Sequence, residues 1–383
     1  MSASSIASGN QVTRFKKKVL REYVRGGKFG DLIGMDENKV IQVTDEVKKF
    51  SVPLVGKLSG SGVRGSSQLA GSEEPLSNFA VTLQPTYVRN GVLIDNEENE
   101  KSEFDLFAEG RPSLMNWMME TKRDQIIQAL GAVQASGTYY NYGGVEASGA
   151  KGSSAASAAN MDTWQAANSD RILYGDATSQ LTSGDHTTSL ATVTTTDTMD
   201  RGMVELLKRI AMDADPLIRP IMVNDDEPSY VLFLGKYAFR DLRTDLETLH
   251  SNGLPRSATE NPLWKGGDLM YDNVIIKEIP DIDKFIDNSS GSGLWDGVWG
   301  ANATGDSLLT GGLSSARVGV GFLCGAQALG FGIGKTAQFK SRKEDDYEHL
   351  NGVAISAKHD IKKLFYNNVQ HGVVTSFHYA AAD

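Results

Sequence analysis

The stretch Gly330–Thr336, GFGIGKT, sets a lysine and a threonine behind glycines, the residue types with which a phosphate-binding loop wraps a nucleotide. That chemistry needs G-x-x-x-x-G-K-[ST], so that successive amides enclose the β-phosphate, but the position five before Gly334 is Leu329. The spacing fails, and these glycines read instead as points where packed backbones approach closely. Gly319 and Gly321 are followed by Cys324 where a dinucleotide loop needs its third glycine. The six histidines are His186, His250, His349, His359, His371 and His378, and they supply no H-E-x-x-H zinc helix. No G-x-S-x-G elbow raises a serine nucleophile. Asp185–His186 and His359–Asp360 are adjacent pairs, a spacing that does not let one side chain orient the other. DIDKFID, from Asp281, opens like a calcium loop, but Phe285 holds the third ligand place and the central glycine is missing. The acidic run DNEENEKSE, from Asp95, could bind a cation loosely and reads more simply as a solvated face. Cys324 is the sole cysteine, which excludes an intrachain disulfide and any multi-cysteine zinc site. In its apolar run it reads as a small buried hydrophobe. No catalytic, cofactor-binding or metal residue is predicted, so the chain is not expected to be an enzyme. An active site of carboxylates and histidines scattered in sequence is the alternative.

The composition agrees with a structural role. The chain has 383 residues, 40% of them apolar, enough for a sizeable core. A net charge of −10 argues against a nucleic-acid-binding surface spread over the whole molecule. Forty glycines and ten prolines suggest many turns and close backbone contacts. The first twenty residues lack the apolar core of a secretory signal, which implies synthesis in a reducing cytoplasm. The uncharged run Val318–Gly334 is short and glycine-rich for a bilayer helix of about 20 residues, so it is predicted to be buried core rather than membrane.

Residues 1–12 are small and polar. A basic cluster follows at Arg14, Lys16, Lys17, Lys18, Arg21, Arg25 and Lys28, either a solvated arm or a contact to nucleic acid or an acidic partner surface. Phe50, Val52, Leu54 and Leu58 alternate as in a half-buried strand, with Pro53 favouring an edge. Phe79, Val81, Leu83 and Tyr87 repeat the pattern, and Pro85 and Asn90–Gly91 are expected to break it. Between the two lies KLSGSGVRGSSQLAGSEEPLSNF, far longer than the usual hairpin loop of about 2–5 residues. It is read as a polar tip without apolar residues to fold back on, either disordered or held by something outside the subunit. Apolar residues from Leu114 to Val133 recur at three- and four-residue spacing. They predict a helix from Ser113 to about Ala135, started by Pro112, with Lys122, Arg123 and Asp124 as its polar patch. Residues 142–160 are low-complexity, and Ser179–Asp197 leans towards strand. Met203, Leu206, Leu207 and Ile210 mark a second helix, Pro228–Leu234 a buried strand, and Phe239, Leu242, Leu246 and Leu249 a third helix. Tyr271–Ile279 and His371–Ala381 read as strands, and Asn288–Ser315 as a long loop. Strands mixed with separate helices predict an α+β fold.

This order of basic arm, polar-tipped hairpin, long helix, mixed domain and returning strand resembles the major capsid proteins of tailed bacteriophages, the Hong Kong 97-type fold. PTYVRNGVLIDNEENEKSEFDLFAEGRPSLMNWMMETKRDQIIQAL is similar to the extended-loop return and spine segment of the capsid family of N4-like phages. YVLFLGKYAFRDLR, NPLWKGGDLMYDNVIIKE, ARVGVGFLCGAQALGFGIGK and AISAKHDIKKLFYN with HGVVTSFHY resemble its later blocks, in the same order. The resemblance implies an N-terminal arm over 1–37 and an extended E-loop hairpin with flanking strands over 38–98. It further implies a spine helix and P-domain over 99–200, an A-domain over 201–345 and C-terminal P-domain strands over 346–383. It implies a shell built of pentamers and hexamers of this chain around double-stranded DNA. Portal, scaffold or decoration proteins are the further partners. No cofactor or membrane is implied. The protein is expected in the virion, after synthesis in the host bacterial cytoplasm. Lys57, Arg64, Glu73 and Glu74 become inter-subunit contacts of the E-loop, and Lys16, Lys17, Lys18 and Arg21 contacts to DNA or scaffold. A tail-tube or decoration protein is the rival within the virion; such proteins are usually smaller and richer in strand.

Overall fold

The computed structural model describes residues 28–45, 48–58, 60, 62–65, 68–70, 73–101, 105–140, 158–223, 227–252, 264–265, 268–283, 318–345 and 350–380. The chain forms two compact units. The larger comprises residues 27–86, 122–335 and 358–383, and the smaller residues 1–26, 87–121 and 336–357. The helices, in chain order, are α1 (Asn96–Lys101), α2 (Leu106–Leu130), α3 (Ala158–Ala167), α4 (His186–Ala191), α5 (Arg201–Asp213) and α6 (Lys236–Asn252).

A mixed sheet organises the larger unit. Its strands run in the order Trp264–Lys265, Asp268–Tyr271, Val274–Glu278, Glu227–Leu234, Val318–Cys324, Val373–Tyr379 and Ile172–Tyr174, with Ile221–Val223 added on Glu227–Leu234. Every residue of Val318–Cys324 is buried, because the sheet is covered on both faces. Strand alternation sends Val318, Val320, Phe322 and Cys324 into one apolar core and Leu323 into the other. The end of α2 (Ile126, Ile127, Leu130) and α3 (Met161, Trp164) contribute to the first core. Met203, Val204 and Leu207 of α5 and Phe239, Leu242 and Leu246 of α6 fill the second. Gly319 and Gly321 belong to this close packing. A Cβ on Gly321 would stand 2.6 Å from Ser376 Oγ, and one on Gly319 would stand 2.7 Å from His378 Nε2. The expected buried core is found here, and Cys324 is the small buried side chain its setting predicted.

In the smaller unit, residues of the strands Leu329–Asp345, Leu350–Lys363 and Thr86–Asp95 lie side by side in that order. Leu114 and Met118, one turn apart on α2, pack with Val353, Ile355 and Ala357.

Local chemistry moved several boundaries. Pro112 lies inside α2 rather than at its start. The helix begins earlier, where Asn99 Oδ1 accepts from Leu106 N at 2.9 Å and Asp105 Oδ1 accepts from Ala108 N at 3.2 Å. It ends at Leu130, and Val133–Ala135 turns to strand. Asn90–Gly91 makes no turn, since Thr86–Asp95 runs through it. Within Ser179–Asp197, Asp185 caps α4 by accepting from Thr188 N at 2.8 Å, so helix replaces the expected strand. Residues 142–157 and 288–315 lie outside the described residues.

Candidate inter-subunit surface

The strands Phe50–Val55 and Asn78–Leu83 pair antiparallel from Phe50↔Leu83 to Val55↔Asn78 and form a two-stranded sheet of their own. Pro53, opposite Ala80, therefore sits on an edge strand, the position a missing N–H allows. Period two holds: Phe50, Val52 and Leu54 are half-buried, and the residues between them are exposed. Gly56 N extends the ladder by donating to Ser77 O at 2.8 Å. Farther out, Gly60 N donates to Glu74 Oε2 at 2.6 Å and ties the two sides of the tip together. Lys57, Arg64, Glu73 and Glu74 are all exposed on this excursion. The Glu74 carboxylate thus braces its own tip, a role the sequence reading did not give it. That reading also missed the tip's apolar content, because Leu58, Leu69 and Leu76 are exposed there, with Val55 at its neck.

The other predicted patch turns inward. Arg123 is buried, with Nε and Nη2 donating to Asp124 Oδ1 at 2.8 and 2.6 Å and Nη1 lying 3.5 Å from Asp281 Oδ2. Lys122 is half-buried, and desolvation lowers its pKa. The expected polar face of the helix is a buried ionic clamp at Arg123. Lys16, Lys17, Lys18 and Arg21 lie outside the described residues.

Among the described residues, several buried ionisable groups of the core are tied to single neighbours. His186 Nδ1 shares a 2.6 Å hydrogen bond with Tyr174 OH, and His359 Nε2 one of 2.6 Å with Gln125 Oε1. Burial pushes the Cys324 thiol up to about 12, far from a reactive thiolate. Lys363 is fully buried, donates to Ala132 O at 3.3 Å, and is drawn down to about 7 by desolvation. It escaped the sequence reading because DIKK looks like any solvated strand end. Among the described residues no group of three or more His, Cys, Asp or Glu side chains could hold a metal ion. What the surface offers is a ribbon ending in exposed charge and exposed leucine, which suits protein contact.

The family model described as phage capsid protein matches residues 3–381. The chain belongs to that family. The major capsid protein of Pseudomonas phage KPP25 is 28% identical over 341 residues, covering 85% of this chain and 81% of that protein. The cyanophage Pam1 capsid subunit matches with a TM-score of 0.82 and 31% identity, covering all of both chains. A capsid chain of Ralstonia phage GP4 matches with a TM-score of 0.67 at 21% identity, over 100% of this chain and 99% of that one. The capsid subunit therefore has the α+β, Hong Kong 97-like fold that its element order suggested. It is a major capsid protein that forms the shell of a tailed phage and is a component of the virion.

Proposed function

We propose that copies of this subunit close into pentamers and hexamers of an icosahedral shell around double-stranded DNA, each reaching a neighbour through the ribbon of residues 50–83. Heterologous contacts of this kind generate rings when the rotation closes. The observation that carries the reading is the ribbon itself: its two strands pair with each other, and its tip stands exposed. In this reading residues 1–37 are the N-terminal arm, 38–98 the E-loop hairpin and flanking strands, 99–200 the spine helix and P-domain, 201–345 the A-domain and 346–383 the returning P-domain strands. Lys57, Arg64 and Glu73 meet charges of a neighbouring copy. Each exposed pair is worth only ~0–1 kcal/mol, which leaves single contacts reversible while a growing shell corrects its errors. Lys16, Lys17, Lys18 and Arg21 touch packaged DNA or a scaffold, and portal and decoration proteins complete the particle. The subunit is made in the host bacterial cytoplasm.

Deleting residues 59–75 tests the reading. The expected product is a folded, soluble subunit that fails to form normal particles by electron microscopy. Particles like those of the wild type would refute it.

A further inference from the structure

The charged residues of the tip were the natural candidates for holding a neighbour, but the apolar ones are better placed. Val55, Leu58, Leu69 and Leu76 are each more than half exposed. Single exposed apolar side chains are ordinary and need no explanation. These four are gathered on one ribbon end. Two hydrogen bonds fix the level of two of them. Gly56 N to Ser77 O lies on the inner side and Gly60 N to Glu74 Oε2 on the outer side, so Leu58 and Leu76 lie on the two facing segments between the braces. The ribbon below them is also short of cover. Val52, Leu54, Phe79 and Val81 are half-buried, yet none of them joins the three apolar cores formed by the described residues.

We infer that Leu58, Leu69 and Leu76 are the anchors of the arm, seated in an apolar recess on a second copy of this chain, while the charges around them set register. The inference rests on the proposed reach of the ribbon to a neighbour and names what holds it there. The occupant is a second copy because the chain is a self-assembling shell subunit, so every subunit presents this end to identical ones. The pattern also matches how interfaces are built, with desolvated apolar anchors in a polar rim. Exposed ion pairs are screened by salt and hold little by themselves. Glu74, already committed to Gly60 N, acts as a brace that keeps the leucines presented.

The test is the full chain carrying Leu58→Ser, Leu69→Ser and Leu76→Ser, beside a charge variant with Lys57→Gln, Arg64→Gln and Glu73→Gln. Each is expressed and followed by gradient sedimentation, electron microscopy and urea denaturation of the unassembled subunit. The leucine variant is expected to keep its denaturation midpoint and to lose at least tenfold in shell yield at low and high salt alike. The charge variant is expected to lose less, with a deficit that changes with salt. Wild-type shell yield from the leucine variant overturns the inference. A lowered midpoint also overturns it, because the leucines would then be covered within their own subunit. The deletion of 59–75 separates the two failures. If it blocks assembly while the leucine variant assembles, the anchors are wrong and the arm stands; if it assembles, the arm reading itself is wrong.

Discussion

His378 is fully buried, and among the described residues neither of its ring nitrogens has a hydrogen-bond partner. Desolvation pushes its pKa down to about 3, and burial together with the nearby Lys122 ammonium pushes His359 down to about 4. Burial lowers His371 as well. In the unfolded chain each titrates near 6.5. Below that value the unfolded state takes up protons that the folded state refuses, so stability falls with falling pH until the folded pKa is reached. The acids behave differently. Asp170 and Asp185 are lowered, so their contribution is lost only below the ordinary carboxylate range. Between pH 4 and 6.5 the histidines therefore set the slope. By pH 5 His378 and His359 are each expected to cost about 2 kcal/mol relative to pH 8. Urea denaturation of the unassembled subunit across this range checks it. His359→Gln should flatten the slope between pH 5 and 6.5 by up to about 1.4 kcal/mol per pH unit. A slope unchanged by that substitution would show that His359 protonates freely in the folded state.

At the scale of elements, a single cap carries a measurable share of one helix. Asp200 precedes α5 in an extended conformation, and its side chain accepts from Met203 N at 2.8 Å. Asp200→Ala is expected to destabilise the subunit by about 1 kcal/mol with no change in the slope against urea, since the same surface still unfolds. Helix α5 was legible in the sequence because Met203, Leu206, Leu207 and Ile210 face one way, while the Asp200 cap went unread. The ribbon was legible for a similar reason, as the alternation of Phe50, Val52 and Leu54 survives into the structure, although Leu58 and Tyr87, read on the same pattern, are exposed. Helix α2 was legible in kind but not in extent. Pro112 suggests a start, while Asn99 and Asp105 supply the real one through side chains whose partners are fixed only by the fold. The inward turn of Arg123 was hidden for the same reason, because Asp281 is remote in sequence and its approach depends on tertiary packing. The leucines of the tip were in plain view, outvoted by the glycines and serines around them.

For the whole molecule, the distribution of charge bears on what the shell encloses. The chain carries −10, yet the segment from Arg14 to Lys28 holds seven basic residues and one acid, so the remainder is more acidic than the total suggests. An acidic lining repels packaged DNA and leaves it free to move, which favours filling and ejection, whereas a basic lining pins it. In the proposed reading, a basic segment of this kind, multiplied over a shell, supplies many weak phosphate contacts without converting the surface. Each contact releases counterions, so each lysine removed should lower the dependence of DNA binding on salt by about 0.9 in the slope of log K against log salt. Replacing Lys16, Lys17 and Lys18 with glutamine is therefore expected to leave shells of normal shape, to reduce the ratio of DNA-filled to empty particles on a density gradient, and to flatten the salt dependence of DNA binding by the unassembled subunit. If the lysines meet a scaffold instead, the same variant yields misshapen or fewer shells while the subunit's affinity for DNA stays as it was. Unchanged shells, filling and salt slope together would leave the segment as a solvated arm and confine the self-assembly function to the ribbon and the folded units.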